Sequence, residues 1–236
     1  MLPSPLSRSN SQEIQQEVMD ANALLAYYSR RAKEFERIYE KPERQADLQR
    51  LRIWLQDQLR GRHILEVACG TGYWTAWLAP VVLSIVATDD SLEVLAVAGQ
   101  KKYPPGRVRF QRTDALSLHD LPGPFSGAFV GFWWSHLLRE DRIRFLTSLH
   151  QSLEPGAVVA MIDNRYVEGS STPIARADGA GNTFQRRTLA DGSEHEILKN
   201  FPDPDELKTL LTPMTTHLTI QEFDYFWGMR YILGDT

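Results

Sequence analysis

Short apolar segments alternate with helical segments from residue 63 to residue 164, and this alternation is the strongest constraint on the fold. Each apolar segment is followed by turn residues and then by polar or helical sequence. Strands that alternate with helices form βαβ units. The sequence therefore predicts an α/β fold with a doubly wound, mostly parallel sheet. The predicted strands are residues 63–68, 83–88, 107–112, 127–133 and 157–164.

Helical spacing marks the sequence before the first strand. Apolar residues recur at three- and four-residue steps over 12–39 and again over 46–59, which predicts one or two helices followed by a further helix with one apolar face. Two more helices are predicted between strands. One begins at Asp90, where Glu93 three residues later completes a capping box, and the other covers 143–153.

The segment 169–200 departs from the alternating pattern. Two strand-like stretches flank the turn sequence Ala-Asp-Gly-Ser at 190–193, which predicts a β-hairpin inserted after the fifth strand. The chain ends with a short predicted helix at 205–211 and two β-rich stretches, which we expect to pair antiparallel at one edge of a seven-stranded sheet. The four strand-like stretches are residues 183–189, 194–198, 216–222 and 223–233.

Composition narrows the class of protein. The chain has 236 residues, of which 42% are hydrophobic and 24% charged, as expected for one globular domain. The formal net charge of −4 disfavours a nucleic-acid partner. Cys69 is the only cysteine, which excludes an intramolecular disulfide and a multi-cysteine zinc site and favours a reducing compartment. No apolar stretch is long enough for a membrane span or a secretory signal, so we expect a cytoplasmic protein without a membrane partner.

The loop after the first strand carries the clearest functional signal. Gly70 and Gly72 remove side chains where a ligand approaches the backbone, at the start of a helix whose amides are free. A nicotinamide-binding loop needs a third glycine, but Thr75 stands at that position. Glu66 lies at the end of the strand, where a carboxylate suits a cationic ligand better than a pyrophosphate. The loop therefore favours a positively charged cofactor.

The pattern Glu66-x-x-x-Gly70-x-Gly72 resembles the first motif of the class I S-adenosylmethionine-dependent methyltransferases. The resemblance covers about residues 23–233 and implies a Rossmann-like fold with S-adenosylmethionine (SAM) as cofactor. In that family an acidic residue at the end of the second strand holds the ribose hydroxyls, and Asp89 matches it. The segment after the third strand contacts adenine, which implies that role for Asp114 and Ala115. The same resemblance implies that Ala68, at the end of the first predicted strand, contacts the cofactor.

Most of these residues also have a purely structural interpretation. The two glycines suit a tight strand-to-helix turn, and Asp114 suits a turn. Asp89 suits a helix cap, although Asp90 fills that position better. Glu66 has no such interpretation, because a buried unpaired carboxylate is costly.

The end of the fourth strand lies beside the transferred methyl group in this family, and His136 there is our candidate general base. The alternative for His136 is a hydrogen bond to a backbone carbonyl. Trp133 and Trp134 are neighbours on the predicted strand, where successive side chains point to opposite faces, so only one of them can face the pocket. A tryptophan in the pocket would favour a flat or apolar acceptor. Asn164 and Tyr166, after the fifth strand, are the other predicted substrate-binding residues.

The resemblance also implies how the single domain is divided. Residues 1–45 form an N-terminal helical lid, in which Tyr28 and Arg31 close over the cofactor, unless they serve ordinary helix packing. Residues 46–168 form the cofactor-binding core, 169–200 the inserted hairpin, and 201–236 the last helix and edge strands. Four basic residues of the insertion suit either an acidic acceptor or a solvated hairpin face, and we expect the latter. These are Arg176, Arg186, Arg187 and His195.

Several acceptor classes lack their signatures. The fourth strand has no Asn/Asp-Pro-Pro-aromatic run, no Pro-Cys pair is present, and no acidic cluster suggests a metal site. We therefore predict methyl transfer to the oxygen or nitrogen of a small, aromatic or heteroaromatic molecule, with no metal. The alternatives are a nicotinamide-dependent oxidoreductase and a non-catalytic cofactor-binding protein. The oligomeric state is left open.

Overall fold

The computed structural model describes residues 35–189 and 192–234, without the side chains of Phe35 and Arg37. Ten strands and five α-helices lie in these ranges. The strands are β1 His63–Val67, β2 Ser84–Asp89, β3 Val108–Arg112, β4 Phe125–Gly131, β5 Leu153–Asn164, β6 Ile174–Ala177, β7 Thr183–Thr188, β8 Glu194–Leu198, β9 Thr215–Glu222 and β10 Phe226–Leu233. The helices are α1 Gln45–Leu59, α2 Tyr73–Leu78, α3 Leu92–Ala98, α4 Arg142–Gln151 and α5 Pro204–Leu211.

Seven strands form one sheet in the order β3-β2-β1-β4-β5-β10-β9. Strands β1 to β5 pair in parallel, and β10 pairs antiparallel with both β5 and β9. The strand order reverses between β1 and β4, which is the switch point where open α/β sheets bind ligands. The predicted doubly wound, mostly parallel sheet with an antiparallel pair at one edge is confirmed.

The two faces of the sheet bury alternate residues of the same strands. Leu65 packs with α4 and α5 on one face, while its neighbour Ile64 packs with α1, α2 and α3 on the other. Helix α1 contributes four leucines that are fully buried, at 48, 51, 55 and 59. Helices on both faces explain why the central strands are almost continuously apolar, as in other buried parallel sheets.

Two element boundaries and the exposure of one residue differ from the sequence predictions. Strand β4 ends at Gly131 rather than at residue 133, because Phe132 adopts a positive φ of 58° and residues 134–136 form a 3₁₀ turn. Helix α4 ends at Gln151, before β5 begins at Leu153. Ile143 was predicted in the apolar stripe of α4 but is 49% exposed.

The predicted N-cap of α3 is wrong by one residue. Ser91, not Asp90, caps the helix, since its hydroxyl accepts from the amide of Val94 at 3.3 Å. Strand β2 extends through Asp89, so the helix starts later than the capping-box pattern predicted. The Asp90 carboxylate instead pairs with Arg112 at 3.0 Å.

The insertion forms a three-stranded antiparallel sheet in the order β6-β7-β8 rather than a two-stranded hairpin. Strands β7 and β8 match the predicted pair. Strand β6 was missed because its four residues are all exposed and show no alternation of polar and apolar side chains. Arg176 of β6 lies over the ring of Phe184, 3.6 Å from its centroid.

Most of the predicted N-terminal lid, including Tyr28 and Arg31, lies outside the described residues. Its last part is described, and there Tyr39 is buried and stacks on Tyr73 with ring centroids 3.8 Å apart. The described end of the segment therefore packs against the core, and the division of the domain at residue 45 stays a prediction. In residues 35–189 and 192–234, no helix is long and apolar enough to cross a membrane.

Candidate active site

A cavity of about 1210 Å³ opens at the carboxyl ends of the parallel strands. Residues 66, 68–70, 89–90 and 113–116, which end or follow β1, β2 and β3, line what we call the β1–β3 half. The β4–β5 half is lined by residues that follow β4 and β5, by β7 and β8, and by Lys41 and Arg44. The three-stranded insertion therefore forms a wall of the cavity.

The two glycines of the loop after β1 serve different needs. Both have positive φ, 55° for Gly70 and 75° for Gly72. A Cβ on Gly72 would lie 2.5 Å from Tyr103 Oη and 3.1 Å from Ala98 Cβ, so Gly72 lets the loop pack against α3. Gly70 lines the cavity, as does Ala68, whose φ of 53° is unusual for a residue with a side chain. Only Gly70 is therefore placed for close approach of a ligand.

Glu66 is a buried carboxylate at the cavity wall. It is 1% exposed, and its Oε2 has no hydrogen-bond partner among the described residues. Burial raises the pKa of Glu66 to about 8. Because an uncompensated buried acid is costly, the site fits a ligand that brings a positive charge or hydrogen-bond donors.

Asp89 holds the loop after β1 against the start of α3. Its Oδ2 accepts from the Gly70 amide at 2.9 Å, and its Oδ1 accepts from the Ser91 amide at 3.0 Å. Burial raises the pKa of Asp89. Asp89 lines the cavity, and each carboxylate oxygen keeps a second acceptor site for a ligand.

Asp114 and Ala115 line the same half of the cavity. The Asp114 side chain is exposed, and its Oδ1 accepts from the Leu116 amide at 2.9 Å. Asp114 thus stabilises a turn and borders the cavity at the same time. The neighbouring Thr113 Oγ1 is buried without a hydrogen-bond partner in the part of the chain that is described.

His136 lines the β4–β5 half and is 7% exposed. Its Nδ1 lies 2.8 Å from the Leu198 carbonyl oxygen. Since a carbonyl only accepts, Nδ1 carries the hydrogen and Nε2 of the neutral ring carries the lone pair. Burial, followed by the charges of Lys199 and Arg187, lowers the pKa of His136 well below 6.5. His136 therefore makes the hydrogen bond to a backbone carbonyl that was the alternative to a catalytic role. It also borders the cavity as a neutral imidazole.

The side chains of Trp133 and Trp134 point in different directions, as the sequence implied, but the cause is not the alternation of side chains along a strand. Trp133 lines the cavity, whereas Trp134 is 1% exposed and packs in the core with its ring centroid 6.4 Å from that of Phe145. The prediction that Trp134 binds substrate is wrong, because the 3₁₀ turn after β4 directs its side chain into the core. Asn164 lines the cavity. Tyr166 is 42% exposed and does not line it, but its ring meets that of Phe201, which does, at 5.3 Å between centroids.

A buried ionic network behind this half was not predicted. Lys199 Nζ donates to Ser135 Oγ at 2.5 Å and to Asp163 Oδ1 at 3.2 Å. The Lys199 and Asp163 side chains are 5% and 0% exposed. Burial lowers the pKa of Lys199 to about 8, although the charge of Asp163 opposes the shift. The one sequence signal was an acid at the end of an apolar strand, since Lys199 is 36 residues away in the chain.

Basic side chains gather in the β4–β5 half. Arg186, Arg187 and His195 line the cavity. Arg186 is exposed, as expected of a solvated hairpin face, whereas Arg187 and His195 are half-buried and depart from that expectation. Arg176 follows the expectation, since it is exposed and pairs with Glu196 at 2.6 Å. The cavity wall also includes Lys41 and Arg44, whose side chains bond Ser170, and Arg144.

Comparisons with known proteins agree with this geometry. A family model for a methyltransferase domain matches residues 64–156. The O-methyltransferase cnsE of Penicillium expansum is 31% identical over 144 residues, which cover 54% of this chain and 51% of that protein. A demethylmenaquinone methyltransferase of Lactiplantibacillus plantarum is 30% identical over 107 residues, 43% of this chain and 44% of that protein. The chain thus matches about half the length of these curated relatives.

Solved structures match over more of the chain. DhpI in complex with SAH (S-adenosylhomocysteine) is 28% identical, with a TM-score of 0.71 over 91% of this chain and 97% of that one. DhpI in complex with SAM and HEP is 27% identical, with a TM-score of 0.72 over 90% and 97%. The matched domain contains the loop after β1, and the matched structures contain the cofactor that the motif predicted. Motif, strand order and structural similarity together confirm that this chain is related to the class I S-adenosylmethionine-dependent methyltransferases and has their Rossmann-like fold.

Proposed function

We propose that this chain is a SAM-dependent O-methyltransferase that acts on a small molecule bound in the β4–β5 half of the cavity. The observation that carries the proposal is Glu66, a buried carboxylate with an unpartnered oxygen at the cavity wall. A pyrophosphate does not compensate such a group, whereas the ammonium group of SAM would supply both a positive charge and hydrogen-bond donors. Oxygen is proposed as the methylated atom because cnsE and a relative from Pyrenophora dematioidea, 28% identical over 137 residues, are O-methyltransferases.

Four residues of the β1–β3 half are proposed to hold the cofactor. Glu66 accepts from the ammonium, and Asp89 accepts from the ribose hydroxyls through its remaining lone pairs. Asp114 and Ala115 contact the adenine edge from the turn after β3. The lid roles of Tyr28 and Arg31 remain predictions. The described end of that segment supports the lid's location, because Lys41 and Arg44 line the cavity.

SAM supplies a methyl group already activated on a sulfonium, so the chain's own residues chiefly orient the acceptor, exclude water and move a proton. Trp133 and Asn164 are proposed to position the acceptor. His136 would accept the hydroxyl proton of the acceptor at Nε2. The predicted flat acceptor remains a proposal, supported by the aromatic side chains that line this half. These are Phe132, Trp133, Phe184 and Phe201.

Titration calorimetry of the full chain tests the cofactor assignment. We expect SAM and SAH to bind and NAD to give no heat. Binding of NAD without a response to SAH would favour the oxidoreductase alternative. Turnover of methyl-labelled SAM with a panel of small hydroxylated molecules then separates an enzyme from a non-catalytic SAM-binding protein.

Replacing Asp89 by Asn is expected to weaken SAH binding by about tenfold or more. The reason is that charge-assisted hydrogen bonds of about 1.5–3 kcal/mol each are lost or weakened. Calorimetry measures the change. Asp120→Asn, which removes an acid whose side chain is 90% exposed, is the control and leaves the affinity unaltered. If Asp90→Asn and not Asp89→Asn abolishes binding, the ribose contact is assigned to the wrong carboxylate.

Affinity for SAH is expected to rise with pH, by up to about tenfold per unit, from about pH 6 to about pH 8. The free protein holds a proton on Glu66 below a pKa of about 8. A bound ammonium lowers that pKa, so binding releases the proton and is favoured at higher pH. Calorimetry in buffers of different ionisation enthalpy counts the released proton. Glu66→Gln should bind more weakly and release none at this site, and a wild-type affinity that stays flat over this range would contradict the assignment.

A further inference from the structure

We infer that Asp163 is a positioning residue for His136, because its carboxylate holds both sides of the hydrogen bond that orients the His136 ring. Asp163 does not line the cavity, so it acts on the acceptor only through the histidine. The inference rests on the proposed role of His136 as a base. It adds to that role the residue that decides which ring nitrogen is able to accept a proton.

The His136 ring is held from the end of strand β8. Its Nδ1 donates to the Leu198 carbonyl oxygen at 2.8 Å. A neutral imidazole has two tautomers, and only the one with hydrogen on Nδ1 has its lone pair on Nε2. The bond to Leu198 therefore selects the tautomer that the proposed base needs. It forms only while the 3₁₀ turn 134–136 and the end of β8 keep their relative positions.

Asp163 bonds the residue on each side of this contact. Ser135, which precedes His136, donates to the Asp163 carboxylate through its backbone amide and through its hydroxyl, both at 2.9 Å. Lys199, which follows Leu198, donates to the same carboxylate at 3.2 Å and to the Ser135 hydroxyl at 2.5 Å. Ser135, Asp163 and Lys199 thus bond one another directly behind the contact between His136 and Leu198.

The burial of these groups restricts their movement. Asp163 and Ser135 are fully buried, and the Lys199 side chain is almost so. A donor or carboxylate displaced at such a place finds no water to replace its partner, which makes displacement costly. The carboxylate cannot rotate freely either, because Oδ2 accepts from the Ser135 amide while Oδ1 accepts from the Asn164 amide at 2.7 Å. The network therefore fixes the turn against the end of β8.

An ion pair is an expensive way to join two buried segments. Well-packed apolar side chains of similar volume are often at least as stabilising as a buried ion pair. The Asp163–Lys199 pair joins the seven-stranded sheet to the insertion at the point where His136 borders the cavity. Hydrogen bonds behind a functional group are the usual means of holding it in one orientation. The position of the pair therefore fits a role in orienting His136, beyond its role in the fold.

The test is the tautomer of His136 in the full chain and in its Asp163→Asn variant. With ¹⁵N-labelled histidine, long-range ¹H–¹⁵N correlation spectra show which ring nitrogen carries the hydrogen. The signal missing from His136→Ala identifies this ring among the six histidines. We expect hydrogen on Nδ1 in the wild type. In Asp163→Asn the ratio of the Nδ1–H to the Nε2–H tautomer should fall about fivefold or more, which corresponds to one weakened hydrogen bond.

The spectra report the tautomer and not the charge of the ring. Burial, followed by the charges of Lys199 and Arg187, lowers the pKa of His136 well below 6.5. Removing the Asp163 charge does not oppose any of these effects. The ring therefore stays neutral at pH values of about 7 and above in both proteins.

Two further variants separate orientation from stability. Ser135→Ala removes the hydroxyl but keeps both partners of the ion pair, so it provides the test if Asp163→Asn does not fold. We expect it to lower the tautomer ratio about twofold or more. Asp47→Asn is the matched control, because Asp47 is a buried acid that pairs with Arg50 at 3.6 Å on helix α1. It should destabilise the fold and leave the His136 signals unchanged.

The outcomes distinguish this inference from the proposed function. Hydrogen on Nε2 in the wild type, or an unchanged tautomer ratio in Asp163→Asn and Ser135→Ala, would overturn the positioning role. An equal change in Asp47→Asn would assign the effect to general destabilisation and overturn it as well. The spectra require neither cofactor nor acceptor. A wild-type chain that fails to bind SAH in calorimetry would overturn the proposed function, whichever tautomer His136 adopts.

Discussion

Replacing His136 by Ala is expected to lower the rate of methyl transfer by about 10²–10⁴-fold while SAH affinity stays nearly unchanged. A general base acts in the transition state, so its removal affects turnover more than cofactor binding. The rate is measured with methyl-labelled SAM and the acceptor found in the screen. His119→Ala, at a side chain that is 58% exposed, is the matched control.

The pH profile distinguishes a base from a positioning group. An ordinary histidine would make the rate rise with pH through about 6.5. Because burial lowers the pKa of His136 well below that value, the ring is already neutral and the wild-type rate should be flat, as far as His136 is concerned, from about pH 6.5 upward. A variant that binds both ligands normally and turns over at the wild-type rate would make His136 structural and leave catalysis to positioning alone.

Replacing Lys199 by Met is expected to destabilise the fold by about 3–5 kcal/mol. The substitution leaves the Asp163 carboxylate, which is fully buried, without its countercharge. Denaturant unfolding monitored by tryptophan fluorescence measures the loss. Lys208→Met removes a lysine that is 57% exposed, and its effect should stay within about 0.5 kcal/mol.

A second substitution tests whether the loss arises from the pair. In the double variant Lys199→Met with Asp163→Asn, neither position keeps a buried charge, so the combined loss should be smaller than the sum of the single losses by about 1–3 kcal/mol. Part of the loss persists, because the Ser135 and Asn164 amides both donate to the Asp163 carboxylate. Losses that simply add would show that the two side chains do not stabilise each other.

The parts of the fold that were predicted correctly depend on patterns local in sequence. Residues 64–67 of β1 and 157–163 of β5 are buried on both faces, and most of them are therefore apolar. Helix α1 shows one apolar stripe over fifteen residues. The spacing of Glu66, Gly70 and Gly72 lies within a single strand and its loop. Such features are visible without knowing what packs against them.

The parts that were missed depend on contacts between distant segments. The positive φ of Phe132 ends β4 early, and nothing in the neighbouring sequence indicates it. Strand β6 is exposed throughout, so its pairing with β7 leaves no hydrophobic pattern. The Lys199–Asp163 pair forms only when the end of β8 meets the end of β5. Its partners lack the fixed spacing that made the glycine loop recognisable.

The two halves of the cavity come from different stretches of the chain. Residues 66–116 supply the acids and the loops of one half, while the other half is supplied mostly by residues beyond 130. Under the proposed assignment of cofactor and acceptor to these halves, acceptor preference is separable from cofactor affinity in protein engineering. Exchanging the inward side chains of β7 and β8 for those of a different insertion should then redirect the proposed methyl transfer to new acceptors. Lys199 and Asn200, which bond the insertion to Ser135 and Leu137, must be retained.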